Sequence, residues 1–264
     1  MKLYKITKSD PANLSDLKKE YYNGLTSPLD GMWEVFTTMA DHYSISVNDE
    51  HVGYCVINDE KKMLQFYVVS SVDPMTVFLQ ILKDYSLSTA MVHSFETPFF
   101  NLCLDHQTAV SVNALQYHVA ENTKLSPAQL GSAQFTLMTH TQLEAAVDFA
   151  HDALGADRGW LHGYYKERIQ RNELYGLWLE NKLIGAGECR ISSTQTSVAD
   201  VGMVVAKSHR TQGIGTEILK GLIQLCKERD LMAICSTEVG NIGAQKAITK
   251  SGFIAVQRIV EITF

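Results

Sequence analysis

Arginine is missing from the first 130 residues of this 264-residue chain, and proline is missing after residue 127. No stretch reaches the roughly 18 to 20 apolar residues in a row that a membrane helix needs, and the opening MKLYKITKSD lacks the apolar core of a signal peptide. The expectation is a cytoplasmic protein with no membrane partner. The five cysteines (Cys55, Cys103, Cys189, Cys226, Cys235) contain no C-x-x-C pair, which argues against a zinc knuckle and a disulfide framework and for reduced, mostly buried thiols. The nine histidines contain no H-x-H or H-x-x-x-H spacing, so no metal is expected. Basic charge is also short: 23 Lys and Arg against 29 Asp and Glu leave a formal net charge of -6, and with no basic excess to release counterions, nucleic acid is not an expected partner. What remains is a globular chain, 45% hydrophobic and 20% charged, long enough for two domains.

The scarcities are unevenly placed. Residues 1–130 hold nine Lys and fifteen Asp or Glu, whereas residues 131–264 hold fourteen of each sign and all seven arginines. Only Gly24, Gly31 and Gly53 precede residue 131, and the other fourteen glycines follow it, so demand for tight backbone approach lies in the second half. Residues 121–133, ENTKLSPAQLGSA, are polar with a Pro and a Gly. The division expected is residues 1–125, a linker at 126–132, and residues 133–264.

Periodicity and punctuation give the second half the order βααβββαβαβ. Strands are expected at 135–138, 174–179, 183–191, 198–205, 231–237 and 253–264, the third turning on Glu180-Asn181-Lys182. Helices are expected at 141–154, 163–171, 215–229 and 241–251, the first opened by a Thr141/Glu144 capping box. The first half runs in similar order: strands at 2–7, 44–47, 51–58, 63–69 and 90–95, helices at 14–22, 32–42 and 74–85. Laying Tyr43 to Gly53 over Tyr175 to Gly185 takes an offset of 132, which also sets Thr7 on Thr139, and points to an internal duplication.

The sharpest local signal is VVAKSHRTQGIG, from Val204 to Gly215, running into an amphipathic helix with Ile218, Leu219, Leu222, Ile223 and Leu225. A strand, a glycine loop and a helix start gather free N–H groups and the positive end of a helix dipole at one point, which makes an anion site, although R-x-x-G-x-G also serves as a plain tight turn. Thr216 and Glu217 follow Gly215, so the Lys-Ser/Thr of a nucleoside triphosphate P-loop is absent, and the three-glycine dinucleotide fingerprint is absent too.

With Arg210, Gly213 and Gly215 in this loop, and Asn241, Ala244, Lys250, Gly252 and Phe253 following an N-x-x-A-x-x-x-[Y]-x-K-x-G-F pattern, the chain resembles the GNAT N-acetyltransferase superfamily. The resemblance is close over about residues 133–264 and extends to 1–125 only in element order. It implies an α/β fold of tandem GNAT-like domains, each a mixed, largely antiparallel sheet flanked by helices, the first degenerate. It implies acetyl-CoA as co-substrate, with pantetheine paired to the backbone at Met203, Val204 and Val205 and bonded by the Asn241 side chain, diphosphate on the amides of Thr211, Gln212, Gly213, Ile214, Gly215 and Thr216 near Arg210, and Lys250 as a further cofactor-binding residue. Arg210 also has a reading as a solvent-facing turn residue, and Lys250 reads equally as a cation on its helix C-terminus. The acceptor implied is the amine of a small molecule or peptide, in a monomer or homodimer.

The position where many of these enzymes carry a tyrosine acid is Ile248. Tyr164 and Tyr165 reach the site only if the fold brings them there; packing is their ordinary role. Asp200, Glu188 and Glu238 are the candidate bases, each also readable as a solvated carboxylate. Cys235 reads as a buried strand residue and His209 as a turn residue beside the loop. In the first half, Val69-Ser70-Ser71-Val72-Asp73-Pro74 stands where the loop would be, with neither glycine nor arginine, so it is not expected to take phosphate; that half instead covers the site or offers an acidic surface to a cationic amine. A non-catalytic acyl-CoA sensor or partner-binding module is the alternative, and a nucleotide-binding regulator a third.

Overall fold

Short apolar stretches of alternating pattern, punctuated by turn residues, become strands here, and longer ones with a 3.6-residue period become helices. The computed structural model describes residues 4–120 and 126–264. It divides into two units: Met1–Leu115 with Gln257–Phe264, and Gln116–Val256.

In the first unit the order is β1 (Lys5–Lys8), α1 (Ser15–Gly24), α2 (Gly31–Met39), β2 (Asp41–Val47), β3 (Glu50–Ile57), β4 (Lys62–Val68), α3 (Pro74–Asp84), β5 (Thr89–His93), α4 (Thr97–Asp105) and most of β6 (Ala109–Val119). Strands β1 to β4 are antiparallel neighbours, and β4 to β5 is a parallel step bridged by α3. In the second unit β7 (Gln134–Leu137), α5 (Leu143–Leu154), α6 (Arg158–Gln170), β8 (Leu174–Leu179), β9 (Lys182–Ile191), β10 (Val198–Val205), α7 (Ile214–Glu228), β11 (Met232–Glu238), α8 (Ile242–Lys250) and the start of β12 (Phe253–Thr263) repeat that order. Here β7 to β10 are antiparallel and β10 to β11 is the parallel step, bridged by α7. The hairpin turns share one geometry: Asn48 and Asp49 have φ of 51° and 64°, and Glu180 and Asn181, 132 positions on, 49° and 63°.

Several sequence expectations shift. The capping box belongs to Thr139 and Gln142, whose side chains cap each other's backbone, because a 3-10 turn precedes α5. Pairing of Lys5 with Ser46 and of Gln134 with Trp178 sets β1 on β7 at an offset of 129, three short of the hairpin's. The helix expected at 32–42 ends at Met39, where Ala40 turns extended and His42 enters β2. α4 and β6 were not anticipated; β6 opens with five exposed residues and carries little alternation there. Of the expected strand 2–7, residues 2 and 3 lie outside the described residues, as do 121–125 of the polar segment; residues 126–130 carry no regular element.

The C-terminal strand departs most. Its last residues, counted with 133–264 in the sequence, lie antiparallel on β5 of the first unit, with Ile259 opposite His93 and Thr263 opposite Thr89. Alternation explains the fit: Val260 and Ile262 enter one core with Phe66, Phe78 and Val92, and Ile259 enters another with Trp33, Tyr54 and Leu64. Among the described residues no helix is long and apolar enough to cross a membrane.

Candidate active site

β10 and β11 pair only at Val198 with Met232, Ala199 with Ala233 and Asp200 with Ile234. On its other side β10 stays paired to β9 as far as Val205, opposite Gly185. The chain then turns through Lys207–His209 into α7. Thr211 (φ 63°) and Gly213 (φ 82°) are both left-handed, and alternation of this kind makes a concave row of amides. For the β-branched Thr211 this is a strained geometry, and for Gly213 a permitted one. Gly213 is the cap residue of α7 and offers no side-chain acceptor, so the first amides of the helix have no cap from it. A Cβ on Gly213 would meet nothing within 4 Å, whereas one on Gly215 would come within 3.0 Å of the Met203 sulfur; the second glycine lets the helix start close over β10. Arg210 is exposed, as a turn residue would be, and its guanidinium also has backbone partners: Nη2 donates to the Ala153 carbonyl at 2.8 Å and Nε to Val205 at 3.3 Å. It ties the loop to the C-terminal end of α5, where a cation is favoured.

The other face of β9 and β10 carries a polar chain. Strand alternation sets Glu188 and Arg190 on that face, and α6 lays Tyr164 across them. The Tyr164 hydroxyl donates to Glu188 Oε2 at 2.5 Å and accepts from Arg190 Nη1 at 3.1 Å, and Arg190 Nη2 pairs with Asp200 Oδ2 at 2.5 Å. Trp160, Tyr164 and Arg168 recur every four residues on α6: the Trp160 ring stacks on Tyr164 at 4.9 Å, and the Arg168 guanidinium lies 5.4 Å from the Tyr164 ring centre. Burial, with the Glu188 charge beside it, holds the Tyr164 hydroxyl well above its ordinary range, so it stays protonated and donates. Opposite Glu188 in the register stands Gly202, where an added Cβ would meet nothing within 4 Å. The carboxylate therefore lies beside open space.

Of the expected residues, then, Met203 and Thr211 to Gly215 gather at the splayed end of β10, and Thr216 binds the start of α7 to α8 through its Oγ1 and the Ala247 carbonyl at 3.4 Å. Asn241 caps α8, its Oδ1 accepting from Ala244 N at 3.1 Å, which leaves its amide hydrogens to donate. Lys250 lines an open cavity of about 590 Å³ with Tyr117, Ile242 and Phe253. Ile248 is buried at 3% exposure and Cys235 is buried, while Glu238 is exposed at the end of β11. His209 accepts or donates only locally, with Ser208 Oγ at 2.9 Å. Among the described residues no group of three or more His, Cys, Asp or Glu is placed to hold a metal ion. Packing is the ordinary reading of Tyr164 from the sequence; the spacing of Trp160, Tyr164 and Arg168 is a signal that could have marked its face, and it went unread.

The first unit handles the matching turn in the opposite way. Asp73 caps α3, accepting from Met75 N at 3.3 Å and Thr76 N at 3.2 Å, and Pro74 removes one donor. The Thr76 hydroxyl, with the backbone amides, holds the Asp73 carboxyl below its ordinary range. An anion meets a fixed negative charge there.

Comparison with known proteins gives this architecture its relatives. The acetyltransferase (GNAT) domain family matches residues 11–119, and the acetyltransferase (GNAT) family matches residues 138–253. A search of curated proteins returns no significant match. Among solved structures, an acetyltransferase of the GNAT family from Colwellia psychrerythraea is 37% identical, with a TM-score of 0.92 over 98% of this chain and 99% of that one. A GCN5-related N-acetyltransferase from Sphaerobacter thermophilus (11% identity, TM-score 0.69, 98% and 94% covered) and a tandem GNAT protein of the clavulanic acid biosynthesis pathway (11%, 0.69, 99% and 98%) share the fold. With both halves matched and a relative of this identity along its whole length, the chain belongs to the GNAT acetyltransferase family as a tandem member.

Proposed function

We propose that this chain transfers the acetyl group of acetyl-CoA to the amine of a small molecule or peptide, and that the second unit does so. The observation that carries this reading is the uncapped start of α7, set at the point where β10 leaves its ladder with β11. Acetyl-CoA supplies a thioester carbonyl as the electrophile. The main chain at Met203, Val204 and Val205 takes the pantetheine arm as an added strand, and the amides from Thr211 to Thr216 take the diphosphate. Asn241 donates its free amide hydrogens to the same arm, and Arg210 holds the loop in shape.

Glu188 is the base. Asp200 is neutralised by Arg190, and Glu238 sits exposed beyond the end of the ladder, whereas Glu188 opens onto the space above Gly202. Tyr164 fixes that carboxylate by its hydrogen bond, and the exposed face of Trp160 beside it suits a cationic amine. Ile248 offers no proton to the departing sulfur, and with a thiol pKa near 8.5 departure as thiolate at neutral pH is tolerable. The first unit takes no acetyl-CoA at its Asp73 turn. The test pairs calorimetry with a thiol-release assay on the full chain, using acetyl-CoA and a panel of small and peptide amines. One equivalent bound and amine-dependent thiol release are expected. Binding without release for every amine would favour the sensor reading, which the buried Ile248 keeps in view, and two equivalents would overturn the account of Asp73.

A further inference from the structure

Behind Glu188, on the face of β9 turned to α7, two thiols meet that the acetyl-transfer chemistry does not use. The Cys189 and Cys226 sulfurs lie 3.6 Å apart, both side chains are buried, and 37 positions separate them in the chain. Register brings them together. Residues 185, 187 and 189 share one face of β9, and Ile218, Leu222 and Cys226 recur every four residues on α7. A Cβ on Gly187 would come within 2.9 Å of Ile218 and 3.2 Å of Leu222, so the helix lies hard against the strand, and the next pair along is Cys189 with Cys226.

We propose that Cys189 and Cys226 form a dithiol that peroxide converts reversibly to a disulfide, switching the acetyl-transfer site off. The Cys226 thiol donates to Cys189, and Arg229, held to the Tyr175 hydroxyl at 2.7 Å, adds positive charge; both favour a thiolate at Cys189. That thiolate attacks one peroxide oxygen and breaks the O–O bond, giving a sulfenic acid and hydroxide. The Cys226 thiol then displaces the sulfenic oxygen as water and forms the S–S bond, so one peroxide takes up two electrons from two thiols. Peroxide is nearly as small as water and reaches buried sulfur during local opening.

A disulfide is about 2.05 Å long, so its formation closes the 3.6 Å sulfur gap and fixes α7 to β9 in one bond geometry. α7 begins at the anion loop, and Cys189 is the next residue after Glu188, so the constraint reaches both halves of the site. The loss of activity rests on the functional reading above; formation of the bond does not.

The experiment treats the full chain with graded hydrogen peroxide, then maps peptides by mass spectrometry without reductant, with sulfoxide at the exposed Met39 as the internal dose marker. A cross-linked Cys189–Cys226 peptide, cleared by dithiothreitol, is expected. With it should come a melting midpoint raised by roughly 5–10 °C and turnover lowered about tenfold to a hundredfold, both reversed by reductant. In Cys226→Ala and Cys226→Ser no cross-link should form, and Cys189 should instead be trapped as sulfenic acid by dimedone. Absence of the cross-link at doses that oxidise Met39 overturns the proposal, as does a cross-link that leaves turnover unchanged. Should the reduced protein turn over no amine, the functional reading falls separately, and the cross-link and melting shift still decide whether the dithiol exists.

Discussion

Replacing Gly213 by Asp puts a carboxylate where the second unit has none, close to the chemistry that Asp73 already gives the first. The effect on the fold is small, because the added Cβ meets nothing within 4 Å. What it costs is a left-handed backbone at φ 82°, about 1–2 kcal/mol for an L residue and less for Asp or Asn, which corresponds to roughly 2–8 °C in melting midpoint. The effect on acetyl-CoA is much larger. A unit charge about 5 Å from each of two phosphate charges opposes binding by roughly 1.7 kcal/mol with water-like screening and roughly 6.6 kcal/mol at an effective dielectric of about 20. Affinity should therefore fall at least about fifteenfold. Gly213→Asn has the same shape and left-handed tolerance without the charge, so it separates repulsion from blockage. Calorimetric titration of both variants at low and high ionic strength is the assay, and the Asp penalty should shrink as salt screens it. If the Asp and Asn variants bind alike, or the Asp variant stays within about threefold of wild type, the diphosphate does not sit on these amides and the reasoning fails.

Glu188→Gln should lower turnover by about 10²- to 10⁴-fold with acetyl-CoA affinity unchanged, as expected of a base. Asp200→Asn should act mainly on stability, because it leaves Arg190, 7% exposed, without its carboxylate; denaturant unfolding should show a loss of about 3–5 kcal/mol. Ile248→Tyr, meant to restore an acid, should lower the melting midpoint through overpacking of about 1–3 kcal/mol and leave the rate no higher; a faster enzyme would show that the buried site has room. His42 is held neutral: burial and the Lys18 ammonium at 2.8 Å lower its pKa from 6.5 to about 4. Between those values the unfolded chain binds the extra proton, so stability should fall as pH drops through about 6.5 to 4, and Lys18→Met should weaken that slope in thermal unfolding.

The sequence by itself determined what depends on neighbours a few residues away. The glycines of the 210–215 loop, the amphipathic run of α7, the start of α8 at Asn241 and the hairpin turn around Glu180-Asn181-Lys182 are local choices of backbone geometry, and they were legible with boundaries mostly within a residue or two. Asp73 and Pro74 were legible as the reversal of the same turn for the same reason. The tertiary structure decided the rest. Alternation says that Glu188 and Cys189 face opposite sides of β9, but not that α6 covers one side with Tyr164 and α7 the other with Cys226, since that depends on helix docking over 24 and 37 positions of chain. Arg210 could be matched to a motif, yet where its guanidinium goes is settled by the end of α5, 57 residues away. The last strand has the pattern of any buried strand, and only the edge offered by β5 determined which strand its last residues join. Contacts of this range are chosen by packing and register between elements, and a residue's own neighbours carry no record of them.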